Sequence, residues 1–378
     1  KVKEGTNTIL KESVKKRVIE DYRSLTEQES KYTRFLGPQP ISMSLDNAIP
    51  KRKHSIVEGY VVTEKADGVR AELFIGKDKY GYLITQKMEI IGTNIKFNDV
   101  SGGWLFDGEY ITKNKYGDRI ELFMIFDVYY SGDGQSMNPS HAYTYPWIGH
   151  SNDDISRSKI IQEFRKNVTL EEENSKLRIG YKTYLEGPKK LQVSKKNPSK
   201  YTNINGMFKQ SKKILDLSKK NGYEYEIDGL IYLPMYLSVR SLEEGVPNNF
   251  IGGSWPINYK WKPPEENTID FKIIFSKEKH KPVIHSYKYV SPEGRSELRY
   301  YQKVQLVVGY SEKDDAMIDF NWSILTNTPL NKQSYQYFDP PTHKKDNIHI
   351  TNIPLDKKKM ICVKDKRIIK NGDIIEMK

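Results

Sequence analysis

From Gly59 onward the chain is built of short strand-length runs broken by turn signals, a rhythm that suits antiparallel hairpins. The runs Gly59 to Lys65, Arg70 to Gly76 and Tyr80 to Gln86 are separated by Asp-Gly and Lys-Tyr-Gly turns, and Trp104 to Ile111 and Ile120 to Tyr130 continue them. The last is apolar enough for a central buried strand. The polar stretch Ser131 to Asp154 reads as a long inserted loop, and Tyr223 to Pro234 and Asn258 to Trp261 as later strands. Helices are expected over 13–30, where Val14, Val18, Ile19, Tyr22 and Leu25 share one face, and over 154–167 and 204–220, the last stopped by Asn221-Gly222. After Phe275 the strands shorten and recur like those of a small barrel: Pro282 to Val290, Tyr300 to Tyr310, Phe320 to Ile324, Lys359 to Val363 and Ile374 to Met377. The class is α+β. At 378 residues the chain exceeds one core, and a boundary is expected at 271/272.

Charge narrows the partners. Sixty-one Lys and Arg against 49 Asp and Glu leave +12, so polyanions, nucleic acid first, are attracted before any specific contact forms. With 37% hydrophobic residues there is material for packed cores. The single cysteine, Cys362, excludes an internal disulfide framework and a thiolate-rich zinc site, and fits a reducing, cytoplasmic setting. No apolar run approaches the length of a membrane helix, so no membrane association is expected. The first residue is Lys rather than Met, from which a piece of a longer polypeptide is expected.

Chemistry concentrates in Glu64-Lys65-Ala66-Asp67-Gly68-Val69-Arg70. A lysine attacks covalently only as a free amine, which needs cationic neighbours or desolvation, and Arg70 supplies one cation. Alone, the heptapeptide is equally a hairpin turn with a surface lysine. Its companions follow in order: Asp107-Gly108-Glu109-Tyr110, Phe123 to Val128, Glu226-Ile227-Asp228-Gly229-Leu230-Ile231, and Lys260-Trp261-Lys262-Pro263-Pro264 with Asn267 to Phe271. Lys260 and Lys262, two apart on a strand, share a face with Trp261 on the other. Asp228, interrupting an apolar run, is the first candidate for holding Mg²⁺ or Mn²⁺, with Glu109 and Glu226 after it.

This ordered set resembles the collinear motifs of the covalent lysyl-nucleotidyltransferases, and Lys-Trp-Lys-Pro-Pro with Asn-Thr-Ile-Asp-Phe, together with Phe35 to Ser42, resembles the messenger-RNA capping guanylyltransferases, most of all the multifunctional capping enzymes of large DNA viruses. The resemblance implies a nucleotidyltransferase domain of antiparallel sheets and flanking helices over 1–271 and an OB-fold barrel over 272–378, cut short before its final motif. It implies that Lys65 attacks the α-phosphorus of GTP and becomes a lysyl-GMP intermediate, from which a 5′-diphosphate RNA takes GMP. It assigns Arg70 and Glu109 to the ribose, Phe126 to stacking on guanine, Lys260 and Lys262 to phosphate, and Asp228 and Glu109 to Mg²⁺ or Mn²⁺. Thr85, Gln86 and Lys87 are candidates for reading the base edge. Triphosphatase and methyltransferase domains in the same polypeptide are implied as partners. The alternatives are an ATP-dependent polynucleotide ligase and a non-catalytic RNA-binding OB module.

Overall fold

The structure is a computed structural model describing residues 10–28, 32–132, 141–172, 175–198, 200–263, 268–278, 281–291, 294–309, 335–338, 350–363 and 366–377. The expected strand Phe320 to Ile324 and part of the loop Ser131 to Asp154 lie outside them. The chain divides into two compact units, Lys1–Pro263 and Pro264–Lys378.

The first unit holds three helices, α1 (Glu12–Leu25), α2 (Arg157–Asn167) and α3 (Gly206–Lys219), and twelve strands among its described residues. These are β1 (Gln39–Ser42), β2 (Tyr60–Ala66), β3 (Val69–Ile75), β4 (Tyr80–Thr85), β5 (Ile90–Asn98), β6 (Trp104–Lys113), β7 (Arg119–Tyr130), β8 (Thr169–Glu172), β9 (Arg178–Tyr181), β10 (Leu185–Glu186), β11 (Ile227–Pro234) and β12 (Ser254–Trp261). They form a five-stranded sheet, β1-β12-β11-β2-β10, and a seven-stranded sheet, β8-β5-β4-β3-β6-β7-β9. The hairpins β3–β4, β4–β5 and β6–β7 are antiparallel, and between β5 and β6 the chain crosses back so that β6 pairs with β3. Lys79, Met88 and Gly117 take the left-handed conformations that tight reversals require.

One apolar cluster joins the unit: Val61 and Val62 of β2, Leu73 of β3, Phe106 of β6, Ile125 of β7 and Leu230 of β11 pack with Phe164 of α2 and Met207 and Ile214 of α3. A second cluster seats Val18 and Tyr22 of α1 on Phe74, Ile84 and Leu105. Because helices and the facing sheet cover both its sides, β2 is buried at six of seven positions, and the half-buried exception is Lys65.

In the second unit β13 (Ile269–Phe275), β16 (Ile284–Val290), β17 (Ser296–Gly309), β18 (Tyr335–Tyr337), β19 (Ile350–Leu355) and β20 (Ile374–Met377) make one sheet, and β14 (Lys277–Glu278) and β15 (Lys281–Pro282) a two-stranded ribbon. The long β17 pairs with β16 and then β13, and also with β19 and β18. Phe271, Ile273, Val304 and Leu306 form its core with Met360 and Ile369. Lys359 to Val363 is no strand: Lys357 and Lys358 both take positive φ, and the chain reverses there through isolated bridges such as Ile361 to Ile368.

Candidate active site

Strand β11 runs antiparallel to β2, with Ile227 opposite Ala66 but Gly229 opposite Lys65, so Asp228 is an extra residue bulged out of the ladder. The bulge turns its carboxylate onto the lysine: Lys65 Nζ donates to Asp228 Oδ1 at 2.7 Å and to Oδ2 at 3.0 Å. Lys262, one residue past β12, donates to the same Oδ2 at 2.7 Å. Gly229 makes the bulge possible, since a Cβ there would stand 2.0 Å from the Trp261 carbonyl oxygen. Burial would raise the Asp228 carboxyl, but the hydrogen bonds from Lys262 and Lys65 prevail and hold it below the usual carboxylate range.

The seven-stranded sheet contributes a second, drier cluster. Arg70 of β3 lies across from Glu109 of β6, and Glu72 across from Asp107. Arg70 Nε donates to Asp107 Oδ1 at 3.0 Å, its Nη2 donates to Oδ2, and the Tyr129 hydroxyl donates to that second oxygen as well. Such a fork fixes the guanidinium plane. Glu72 accepts from the Tyr22 hydroxyl at 2.7 Å, and burial, reinforced by Asp107, pushes its carboxyl up to about 8. Burial also raises Glu109, opposed by Lys182, Lys65 and Arg70. Between β6 and β7 the register passes from Asp107 opposite Asp127 to Gly108 opposite Ile125, leaving Phe126 as the unpaired residue of another bulge. Arg70 and Lys182 stand 5.7 and 5.3 Å from its ring centroid.

Lys65 of the first cluster and Arg70, Asp107 and Glu109 of the second line one cavity of about 270 Å³, with Lys260, Phe126 and Lys182 also in its walls; Asp228 and Lys262 stand behind Lys65 and are not among the lining residues. The Lys260 ammonium has no ion-pair partner among the described residues, which is the state expected of a cation reserved for an anionic ligand. Of the expected base readers, Gln86 lines the cavity, Lys87 is exposed away from it, and Thr85 is buried with its hydroxyl accepting the Glu89 N–H at 3.2 Å. Trp261 packs partly buried against the main core, as its alternation with the two lysines implied.

Sequence reasoning missed Lys182. Its side chain is 4% exposed, beside Glu64, and donates to the Glu64 carbonyl at 3.0 Å. It follows β9, a four-residue strand parallel to β7 that carries no period long enough to reveal it. Asn258 stands on an expected strand without an expected role, since a lone asparagine in β12 carries no motif; its Oδ1 is buried and unpartnered at the cavity wall.

The donor set does not fit a resident divalent ion. Asp228 is engaged by two ammonium groups, Glu109 is shifted toward its neutral form, Glu226 is exposed, and no cluster of three His, Cys, Asp or Glu suited to a metal occurs among the described residues. Nor is any helix among them long and apolar enough to cross a membrane.

Comparison with known proteins bears on this site. The family described as "mRNA capping enzyme, catalytic domain" matches residues 3–242. A "Probable mRNA-capping enzyme" of Acanthamoeba polyphaga mimivirus is 26% identical over 293 residues, covering 69% of this chain and 23% of that protein. The chain thus spans about a quarter of the length of this curated relative. Two solved structures, "Pmar-Lig_Pre." and "Pmar-Lig_PreS3", are 14% and 12% identical, cover 75% and 78% of this chain and 56% and 61% of their own, and superpose with TM-scores of 0.33 and 0.34. The family match covers well over half of the sequence, from before α1 to beyond β11, and includes Lys65, Arg70, Glu109, Phe126 and Asp228: the chain belongs to the mRNA capping enzyme catalytic-domain family.

Proposed function

We propose that the chain is the guanylyltransferase of an mRNA capping enzyme, with Lys65 as nucleophile. The observation that carries this is the ammonium of Lys65 held at 2.7 Å by a bulged carboxylate, in a cavity whose wall also presents Lys260. In the first step Nζ of Lys65 bonds to the α-phosphorus of GTP, the bond to the β-phosphate oxygen breaks, and pyrophosphate leaves. The Nζ proton departs along the hydrogen bond to Asp228. In the second step a terminal oxygen of 5′-diphosphate RNA bonds to the same phosphorus, the P–N bond breaks, and Nζ regains a proton.

Nucleotidyl transfer depends chiefly on positioning and on neutralising phosphate oxygens, and Lys260 and Lys262 supply the charge. Lys262 is bound to Asp228 without the nucleotide, so it exchanges one anionic partner for another when phosphate arrives. Arg70 and Glu109, paired across β3 and β6, face the ribose, and Phe126 offers its ring to guanine. Mg²⁺ or Mn²⁺ would come with the nucleotide, held by its phosphates; no step here is assigned to it. The second unit is an OB barrel over about 272–378, the setting is cytoplasmic, and triphosphatase and methyltransferase domains lie elsewhere in the polypeptide.

Incubation with α-labelled GTP and a divalent ion tests the reading. Acid-labile label should appear on the wild type and vanish in Lys65→Ala. Label from ATP in place of GTP would turn the assignment to a polynucleotide ligase.

A further inference from the structure

We propose that the second unit carries a stacking track for single-stranded RNA, on the face of its sheet turned away from its own core. Alternation along β17 separates the two faces: Gln302, Val304 and Leu306 are buried, the last two in the apolar cluster, so Tyr301, Arg299 and Glu297 point the other way. Register with β16 puts His285 opposite Tyr301, Tyr287 opposite Arg299 and Tyr289 opposite Glu297, all on that outer side.

These side chains form two contacting groups, set side by side by the Tyr287–Arg299 register. The Arg299 guanidinium lies 3.5 Å from the Tyr289 ring centroid. Tyr287 and Tyr301 are 6.0 Å apart, and Tyr301 stacks on His285 at 5.1 Å with planes 19° apart. Glu297 accepts from Arg299 Nε and so steadies the guanidinium over Tyr289. Tyr287 is 39% exposed. Tyr287 and Arg299 are exposed, His285, Tyr289 and Tyr301 half-buried, and none of the five belongs to the apolar cluster of the unit, so packing of that core does not account for them.

Planar rings alternating with a guanidinium are what unpaired bases on a phosphate chain recognise. Bases stack on the rings whatever their sequence, the guanidinium takes phosphate or a base face, and the +12 balance of the chain supplies attraction at a distance. A duplex, with its bases already stacked, cannot use the rings. An acidic peptide would use Arg299 but leave the tyrosines idle, so single-stranded RNA is the occupant that uses both groups.

The experiment is a fluorescence-anisotropy titration of the full chain with single-stranded oligouridylate bearing a 5′-diphosphate. Tyr287→Ala should raise Kd by about fivefold or more, and Arg299→Gln should raise it and flatten its salt dependence by about one phosphate contact. Tyr287→Trp should bind as tightly as wild type or better, which a merely structural tyrosine would not tolerate. Double-stranded RNA should compete poorly. Wild-type affinity in Tyr287→Ala, equal losses in the Ala and Trp variants, or full competition by duplex would each overturn the proposal. Label transfer from GTP alone should be the same in all variants. The track rests on RNA being the acceptor, yet its failure is separable: absence of any Lys65 label sinks the guanylyltransferase reading and leaves the affinities to be judged by themselves.

Discussion

Two charge clusters reach the cavity, one through Lys65 and the other through Arg70, Asp107 and Glu109, and they are built to opposite ends. Around Asp228 the side chains keep some water, at 25% exposure for Lys65, 29% for Lys262 and 19% for Asp228 itself. Around Asp107 they do not: the carboxylate is fully buried and Arg70 is 12% exposed. A pair that retains water can trade one partner for a phosphate at modest cost, whereas a dry fork with a tyrosine on its second oxygen is committed to one geometry. The first cluster is therefore the reacting end and the second the frame that aims it. Substitutions should separate them, with chemistry failing at one and folding at the other.

The largest effect should come from Lys65→Ala. Label transfer should fall to background, while unfolding in urea stays within about 1 kcal/mol of wild type, because Asp228 keeps Lys262. Lys65→Arg should be as inert, since a guanidinium has no free amine to offer. Arg70→Met should invert the pattern. It leaves Asp107 buried with its charge uncompensated, a loss of about 3–5 kcal/mol read as a lower midpoint in denaturant. If Arg70→Met proved as stable as Lys65→Ala, the contrast between an open and a committed cluster would be wrong.

How legible this was in the sequence differs between the clusters. Hairpin rhythm and helical spacing located α1, α2, α3 and the long strands β6 and β7, because period and turn residues are local properties. Strand β5 was not foreseen: Gly92, Thr93 and Asn94 break its alternation, and only pairing with β4 and β8 makes it a strand. At the site, residue type and order singled out Lys65 and Asp228. The bulges that aim Asp228 and Phe126 are relations between two strands, invisible in either alone. Lys182 and the Tyr22–Glu72–Asp107 network depend on segments distant in sequence, so no motif marked them.

A subtler difference between the clusters is their response to pH. Asp228 is held below its ordinary range, so its ion pairs stabilise the fold at pH above the unfolded value of 3.8, and that contribution is lost as pH falls through the lower folded value. Glu72 behaves oppositely. Its folded carboxyl titrates near 8 and its unfolded one near 4.5, so between these limits the folded state holds the extra proton, and stability should decline as pH rises across that window. Thermal unfolding of wild type should show the decline from pH 5 to 8, and Glu72→Gln should flatten it while gaining on wild type toward the alkaline end. An unchanged slope in the variant would place the buried proton elsewhere.

The smallest expected effect lies at Phe126, where the clusters meet. Arg70 and Lys182 both stand over its ring, and its carbonyl accepts from the Tyr184 hydroxyl at 3.1 Å, so that side-chain hydrogen bond helps to hold its backbone in place. As the unpaired residue of a bulge it is half-buried, not core. Phe126→Leu keeps the volume but removes the flat face, and the KM for GTP in label transfer should rise by about three- to tenfold, the value of one aromatic stacking contact, with the maximal rate and the unfolding midpoint little changed. A lower midpoint with unaltered KM would return Phe126 to the role of a structural aromatic. It would also mean that the bulge between β6 and β7 serves to accommodate Gly108, where a Cβ would stand 2.3 Å from Phe123, rather than to present a ring to the nucleotide.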